Sequence, residues 1–376
     1  MMSKSATRPI LRMLGRFYAS TSSGVEAAAS STTSTTQTVK QTLPVTGHKL
    51  AYSEFGDPSA VIRRERFQID AVPENHIVVK MLASPVNPAD LNTIQGTYPV
   101  KPAKLPAVPG NEGVGVVIKT AAIPGRDPIN EGDWVIPRTP AFGTWQAFVH
   151  GSSEDFIKIP QMDLVTAATL SVNPCTAYRM LKDFETLKPG DRVIQNGGNS
   201  AVGQAVIQLC REFGLKCVSL VRPREDFKQL KAKLMTLGNS DTIIITDDDL
   251  RGMMRDFKAQ LALNCVGGKC ATDIMRVLDT GRTMVTYGGM SRQPVVLPTS
   301  SLIFNDVKLK GFWMTRWNRT QPHEDRKEML EYLSNLALTG KWIPPEHKLI
   351  PFAKYRDALE NTMKGYTGVK YIIKFD

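Results

Sequence analysis

The sequence lacks any hydrophobic run close to the roughly 18 residues needed to cross a membrane. It also lacks a C-x-x-C pair and any cluster of histidine with cysteine, because its five cysteines stand apart, at Cys175, Cys210, Cys217, Cys265 and Cys270. These absences argue against a membrane-spanning protein and a metal or disulfide framework, and they indicate free thiols in a reducing compartment. At 376 residues and 42% hydrophobic content, the chain is long enough for two or three buried cores.

Acidic residues are missing from positions 1–25, which carry Lys4, Arg8, Arg12 and Arg16. A Ser/Thr-rich tract follows up to Thr42. Basic, acid-free composition of this kind is typical of a mitochondrial transit peptide. We expect residues 1–18 to be such a peptide, cleaved after Tyr18, residues 19–45 to be disordered, and the mature protein to lie in the mitochondrial matrix. The alternative is a basic disordered tail with no targeting role.

Two regions with different patterns follow. Short strands separated by Pro- and Gly-rich turns between His48 and Lys119 predict a β-rich domain. From Asn173 onward, helices and strands alternate, which predicts a doubly wound α/β fold with a parallel sheet. We expect a parallel-sheet domain over 175–322 and a β-rich domain over 46–174 and 323–376. The strands of the sheet are expected at Asp191–Asn196, Lys216–Val221, Asp241–Thr246, Leu261–Val266, Arg282–Gly288 and Val307–Trp313.

The first of these strands leads into the glycine turn Gly197-Gly-Asn-Ser-Ala-Val-Gly203 and then an apolar helical run. Such a turn lets the backbone approach a pyrophosphate, and the helix N-terminus that follows supplies unpaired N–H donors. The second strand ends on Arg222-Pro-Arg224, where an NADH site usually carries an acid. A guanidinium matches a 2′-phosphate, so the pattern predicts NADPH. A simple turn beside a solvated basic loop is the alternative.

The formal charge is +11, and it would be +7 without residues 1–18. A basic surface suits acidic ligands such as NADPH, a coenzyme A thioester or an acidic carrier protein. The charge is dispersed, and no basic helix carries interleaved aromatic residues, so nucleic-acid binding is not expected.

An ordered set of short motifs carries a family resemblance over about residues 46–376. The motifs begin at Ser84, Gln95, Gly110, Phe142, Asn173, Asn196 and Tyr287, and read SPVNP, QGTYP, GNEG, FGTW, NPCTAY, NGGNSAVG and YGGM. In these the chain resembles the medium-chain dehydrogenase/reductase superfamily, and within it the mitochondrial trans-2-enoyl-thioester reductases. The resemblance implies a Rossmann cofactor domain beside a GroES-like catalytic domain, and a homodimer joined through the Val307–Trp313 strand.

Zinc-dependent members of that superfamily carry an early cysteine and a Gly-His-Glu segment. Here the segment is Gly110-Asn111-Glu112, and residues 80–150 contain no cysteine. A catalytic zinc needs about three His, Cys or carboxylate ligands. We therefore expect no metal.

The resemblance implies a site residue by residue. It places the active-site tyrosine at Tyr98, where a neutral phenol could hydrogen-bond an enolate or pass a proton. Asn111 and Glu112 are expected to help shape the pocket. Lys370 matches a cofactor-contacting position, although a lysine on a solvated strand face is nearly as good an interpretation. The remaining NADPH-binding residues are expected at Asn173, Asn199, Ser200, Ala201, Val202, Arg222, Pro223, Arg224, Tyr287, Gly288, Gly289, Met290, Phe312, Trp313 and Met314.

Together these features favour an NADPH-dependent reductase of the C2=C3 bond of trans-2-enoyl thioesters, carried on acyl carrier protein or coenzyme A, in mitochondrial fatty-acid synthesis. Zinc-free quinone reductases share the fold, and a non-catalytic NADPH-binding partner protein would keep the glycine turn without needing Tyr98. Both remain as alternatives from the sequence.

Overall fold

The computed structural model describes residues 42–121, 129–253, 257–365 and 368–376. The expected transit peptide lies outside the described residues, as does nearly all of the expected disordered segment. The last residue of that segment, Val45, already begins the first strand.

The strands, in chain order, are β1 Val45–Ala51, β2 Arg63–Ile69, β3 His76–Pro85, β4 Val114–Thr120, β5 Trp134–Pro137, β6 Phe148–Ser152, β7 Phe156–Ile159, β8 Arg192–Asn196, β9 Lys216–Val221, β10 Ile243–Thr246, β11 Ala259–Asn264, β12 Leu278–Thr286, β13 Lys308–Gly311, β14 His347–Pro351 and β15 Lys370–Lys374. The helices are α1 Pro58–Val61, α2 Pro88–Ile94, α3 Leu164–Thr169, α4 Asn173–Asp183, α5 Ala201–Glu212, α6 Phe227–Met235, α7 Leu250–Met253, α8 Gly268–Arg276, α9 Thr299–Ile303, α10 Met314–Thr320, α11 His323–Leu338 and α12 Tyr355–Lys364.

Six strands form one fully parallel sheet in the order β10-β9-β8-β11-β12-β13. The strand order reverses between β8 and β11, and a doubly wound sheet binds its ligand in the crevice beside such a switch point. The predicted α/β class is therefore confirmed. The predicted strands are present with small end differences: β11 stops at Asn264 and β12 at Thr286, each two residues early.

The sheet is buried on both faces because successive side chains of a strand point in opposite directions. Val193 packs into the core that includes α4 and α5, and Ile194 packs into the core on the other face with α8. In α5, Ala205, Val206 and Leu209 are buried on the sheet side. Residues 203–210 of α5 are all buried, and the helix begins directly after the turn that follows β8.

The second sheet runs β14-β15-β3-β4-β5-β7, with β6 also paired to β3, and β1 and β2 form a separate hairpin. The final strand β15 pairs antiparallel with β3, with Ile372 opposite Pro85. The chain end therefore rejoins the N-terminal β-rich part, as predicted. This pairing brings Lys370 beside the residues that follow β3. The exact domain boundaries stay a prediction.

Over the described ranges, no helix combines the length and apolarity that a membrane span requires.

Candidate active site

The glycine turn lies at the switch point. Gly197 follows β8 with φ +64°, a conformation that favours glycine, and Ser200 caps α5 by accepting a hydrogen bond from the Gly203 N–H at 3.0 Å. A Cβ on Gly203 would stand only 2.5 Å from the Gly197 carbonyl oxygen. The turn and the first turn of α5 are therefore packed backbone against backbone, which exposes the helix N-terminus to a ligand.

Two asparagines join the strands on either side of the switch point. Asn196 Nδ2 donates to Asn264 Oδ1 at 2.8 Å, and Asn196 Oδ1 accepts from the Cys265 N–H at 2.8 Å. Asn264 Oδ1 also accepts from the Gly267 N–H at 3.0 Å. Both side chains are fully buried. These bonds fix the ends of β8 and β11 relative to each other.

A cleft of about 750 Å³ lies over this edge of the sheet. Its size falls within the usual range for a ligand site. The expected cofactor residues that line it are Asn199, Ser200, Ala201, Arg222, Pro223, Arg224, Met290 and Lys370. Asp247, Cys265 and Cys270 also line the cleft, although they are not among the expected cofactor-binding residues.

Arg224 is engaged by a neighbour within the same loop. Its Nη2 donates to Asp226 Oδ2 at 2.9 Å, and its Nε donates to Asp226 Oδ1. The hydrogen bond from Arg224 lowers the pKa of the Asp226 carboxyl. A phosphate that binds Arg224 would therefore share the guanidinium with Asp226.

A smaller cavity of about 190 Å³ adjoins the cleft. The two spaces share a wall, because neighbouring residues of the chain line one or the other. Ala201 lines the cleft and Val202 lines the cavity. Val86 and Pro88 line the cleft, whereas Asn87 between them lines the cavity. The expected residues that line the cavity are Tyr98, Asn111, Asn173, Val202, Tyr287, Phe312, Trp313 and Met314. Gly288 and Gly289 lie in the turn between Tyr287 and Met290 and line neither space.

Tyr98 and Trp313 meet inside this cavity. Trp313 Nε1 donates to Tyr98 Oη at 2.8 Å, and the two rings meet edge to face at 6.1 Å. Because an indole N–H only donates, the phenol keeps its own proton for another acceptor. Burial raises the pKa of Tyr98, so the phenol stays protonated at neutral pH.

A buried polar network stands behind the shared wall. Asn87 Nδ2 donates to Glu112 Oε1 at 2.7 Å, and Lys370 Nζ donates to Asn87 Oδ1. Ser171 Oγ donates to Glu112 Oε2 at 3.2 Å, and the Asn87 N–H donates to Asp90 Oδ2 at 2.7 Å. Burial raises the pKa of Glu112 to about 7 and that of Asp90 to about 6, and Lys370 acts in the opposite direction on both.

Known families match both parts of the chain. The sequence model described as "Alcohol dehydrogenase GroES-like domain" matches residues 73–165, and the one described as "Zinc-binding dehydrogenase" matches residues 201–335. The mitochondrial enoyl-[acyl-carrier-protein] reductase of Rattus norvegicus is 46% identical over 332 residues, which cover 86% of this chain and 87% of the relative. The Homo sapiens protein of that name is 45% identical over 338 residues, covering 88% and 89%.

The chain belongs to the family of mitochondrial enoyl-[acyl-carrier-protein] reductases.

Solved structures agree with the sequence comparison. The structure described as an Etr1p/NADP/crotonyl-CoA complex is 34% identical, with a TM-score of 0.81, and covers 88% of this chain and all of its own. A structure from Bacillus thuringiensis described as a putative NADPH:quinone reductase is 25% identical, with a TM-score of 0.76, and covers 88% of this chain and 99% of its own. The predicted combination of a Rossmann domain with a GroES-like domain is thus confirmed for this enoyl reductase family member.

One of the two matching family models is described as a zinc-binding dehydrogenase, so the residues at the site are compared with the ligands that a catalytic zinc needs. Within the described ranges, no group of three or more His, Cys, Asp or Glu side chains could hold a metal ion. At the segment where zinc enzymes carry Gly-His-Glu, Asn111 is an amide that donates to Asp90 Oδ1 at 2.6 Å, and Glu112 is bound by Asn87 and Ser171. The residues present therefore do not fit a catalytic zinc.

Sequence reasoning missed the role of Asn87, Ser171 and Asp90. Asn87 stands in the SPVNP motif that contributed to the resemblance, but no role followed from the motif itself. The available sequence signal was the spacing of Asn87 and Asp90, which is that of a capping box at the start of α2, where Asp90 accepts a hydrogen bond from the Asn87 N–H. Lys370, which the sequence left open between cofactor contact and a solvated face, is bonded to this network and lines the cleft.

Proposed function

We propose that this chain uses NADPH to reduce the C2=C3 double bond of trans-2-enoyl thioesters to saturated acyl thioesters in mitochondrial fatty-acid synthesis. The observation that carries the proposal is the Trp313 Nε1 to Tyr98 Oη hydrogen bond in a cavity that adjoins the dinucleotide cleft. The named relatives are mitochondrial enoyl-[acyl-carrier-protein] reductases, and the Etr1p structure contains NADP with crotonyl-CoA.

The residues of the cleft fit NADPH. The Gly197–Gly203 turn leaves no room for a Cβ at Gly203 and presents the start of α5, with Asn199, Ser200 and Ala201 at the pyrophosphate. Arg222, Pro223 and Arg224 take the 2′-phosphate. Bound NADPH supplies the hydride that is added to C3 of the enoyl group.

The wall between cleft and cavity would hold the nicotinamide end. Asn173 Nδ2 is buried and has no hydrogen-bond partner among the described residues, so it offers a donor to a ligand in the cavity. The other residues proposed to surround this end are Val202, Tyr287, Phe312, Trp313 and Met314, which line the cavity, and Met290 and Lys370, which line the cleft. Gly288 and Gly289 would contribute only through the turn that places Tyr287 and Met290.

Tyr98 stabilises the negative charge that develops on the substrate. Hydride addition at C3 leaves an enolate on the thioester, which needs a hydrogen-bond donor and then a proton at C2. Trp313 donates to the oxygen of Tyr98, which leaves the phenol proton for an acceptor. Both enolate stabilisation and proton transfer require the protonated phenol that burial maintains.

We propose a homodimer joined through β13. Its four residues, Lys308–Gly311, are all exposed at the edge of the six-stranded sheet. Ile303 and Phe304 stand next to it at 67% and 77% exposure. An open strand edge flanked by exposed apolar side chains is a ready template for pairing with a second copy.

The substrate is tested by following NADPH oxidation by the chain begun at Ala19, with a short trans-2-enoyl-CoA, the same acyl chain on acyl carrier protein, and a quinone. NADH replaces NADPH in parallel reactions. We expect turnover with NADPH and both thioesters, and little with NADH or the quinone. Turnover with the quinone alone would move the assignment to the zinc-free quinone reductases, and NADPH binding without any turnover would indicate a non-catalytic protein.

A further inference from the structure

A continuous line of side chains connects the cofactor cleft to the buried acid Glu112. Lys370 lines the cleft and donates to Asn87 Oδ1, and Asn87 Nδ2 donates to Glu112 Oε1 at 2.7 Å. Glu112 Oε2 accepts from Ser171 Oγ at 3.2 Å. The line joins three parts of the fold: the start of β15, the residues after β3, and the segment before β4.

The chemistry of this line fixes the orientation of the Asn87 amide. An ammonium group only donates hydrogen bonds, and an ionised carboxylate only accepts them. Asn87 has one end of each kind, so an ionised Glu112 takes the NH₂ end and leaves the oxygen for Lys370. A neutral Glu112 could also donate a hydrogen bond, but the Lys370 ammonium needs the amide oxygen in either case, so a charged Lys370 favours the same orientation.

The charges of the two buried acids favour the same ammonium form of Lys370 that its hydrogen bond to Asn87 requires. Glu112 is fully buried and Asp90 is 1% exposed, and buried charges persist when they are paired and hydrogen-bonded. Burial lowers the pKa of Lys370, whereas Glu112 first and Asp90 second raise it. Glu112 is thus the stronger of the two acids that keep Lys370 an ammonium.

We propose that Glu112 is a positioning residue for the cofactor, which acts through Asn87 to hold the Lys370 ammonium in the cleft wall where the anionic dinucleotide binds. The inference rests on the proposed role of Lys370 in binding NADPH. Glu112 itself touches neither cofactor nor substrate in this scheme.

The proposal predicts a shift in the pH dependence of NADPH binding. The attraction of Lys370 for an anion is present below its pKa and is lost as the pH rises through it. Glu112→Gln keeps the side-chain shape but removes the charge that raises this pKa, so the loss of affinity moves to lower pH. At a pH above both pKa values, the dissociation constant should rise by up to about tenfold for each unit by which the pKa falls, and no further than its value in Lys370→Met.

The window from pH 8 to pH 10 isolates this effect. Glu112, whose pKa is about 7, is largely ionised above pH 8, and so is Asp90 with a pKa of about 6. Burial raises the pKa of the cleft thiols, to about 11 for Cys265 and further for Cys270. Arginine and carboxylate groups do not ordinarily titrate in this window, and the 2′-phosphate is already a dianion.

The experiment measures NADPH dissociation constants by nucleotide fluorescence from pH 8 to pH 10. It uses the full chain with Glu112→Gln, Lys370→Met and both changes together. Lys370→Met should weaken binding at pH 8, and Glu112→Gln should shift the alkaline loss to lower pH. In the Lys370→Met background, Glu112→Gln should have no further effect on the dissociation constant, because the ammonium on which Glu112 acts is absent. Asn87→Ala, which keeps both charges, should weaken binding and supplies a second test if Glu112→Gln fails to fold.

Glu185→Gln serves as the matched control, since Glu185 pairs with Arg282 at 3.1 Å and lines neither the cleft nor the cavity. It should leave the NADPH profile unchanged. Unaltered binding in Lys370→Met would show that the proposed role of Lys370 is wrong. Two outcomes would overturn the positioning role of Glu112 while leaving the role of Lys370 intact. In both, Lys370→Met weakens NADPH binding. In the first, Glu112→Gln does not shift the pH profile; in the second, Glu112→Gln has its full effect even in the Lys370→Met background.

Discussion

At the scale of single residues, the sequence predicts which basic residues follow β9 but not which side chains they contact. The sequence places Arg222 and Arg224 after β9, because a basic strand end is a local signal. It does not show that Arg224 is held by Asp226, since a charged neighbour two residues away has many possible rotamers. The structure identifies this pair as a competitor for the 2′-phosphate.

Asp226→Asn should therefore strengthen NADPH binding. The change frees the Arg224 guanidinium for the 2′-phosphate, and the gain should be about two- to fivefold because the pair is exposed to solvent. NADH, which has no 2′-phosphate, should bind both proteins equally. Titration of each nucleotide into wild type and variant measures the effect, and equal strengthening for NADH would contradict this account of Arg224.

At the scale of elements, the sequence predicts the features that are determined by residues close together in the chain. The β8 strand, the glycine turn and α5 follow one another in the chain, so apolar spacing and glycine content reveal all three. The Asn87 contacts join residues 25 and 283 positions apart, and no local pattern records such a meeting. It exists because β15 pairs with β3 and carries Lys370 to the end of that strand.

The packing of the glycine turn against α5 yields a prediction for the element as a whole. A Cβ at Gly203 would meet the carbonyl oxygens of Gly197 and Gly198 at 2.5 and 2.7 Å, so Gly203→Ala must move the turn away from the helix. Overpacking of this kind costs about 1–3 kcal/mol. We expect a lower melting temperature and weaker NADPH binding, measured by thermal unfolding with and without nucleotide.

Gly252→Ala is the control for that change. Gly252 lies exposed in α7 with no atom within 4 Å of the added Cβ, and alanine favours a helix. Its melting temperature and NADPH affinity should be unchanged or slightly higher. A Gly203→Ala protein that matched this control in both measurements would show that the turn tolerates the side chain.

At the scale of the whole molecule, the two sheets meet where cofactor and substrate must meet. The carboxyl ends of the parallel sheet and the start of β15, with Lys370, line the cleft, whereas Tyr98 comes from the loop after α2 of the β-rich part. The resemblance predicted this division of labour, and the family comparison confirms the fold. The proposed dimer lies at β13, the edge strand of the parallel sheet, which leads directly into the cavity residues Phe312 and Trp313.

Phe304→Lys should convert the proposed dimer into a monomer. The change places a cation beside Lys308 and Lys310 on an edge that would meet its own copy, so like charges would oppose each other. Light scattering during size-exclusion chromatography measures the mass. Leu338→Lys, at an exposed leucine at the end of α11, should leave the mass unchanged. A wild-type monomer, or a Phe304→Lys dimer, would argue against this interface.

The most direct test of the central claim is to measure kcat and the NADPH dissociation constant of Tyr98→Phe beside wild type, with a trans-2-enoyl-CoA. Tyr178→Phe, which removes a hydroxyl from a ring packed against Phe213 and Tyr332 outside the cavity, is the control and should behave as wild type. Loss of the phenol proton should lower kcat at least about 100-fold with NADPH affinity nearly unchanged. Full turnover by Tyr98→Phe would contradict the account, because the enolate would then be managed without Tyr98.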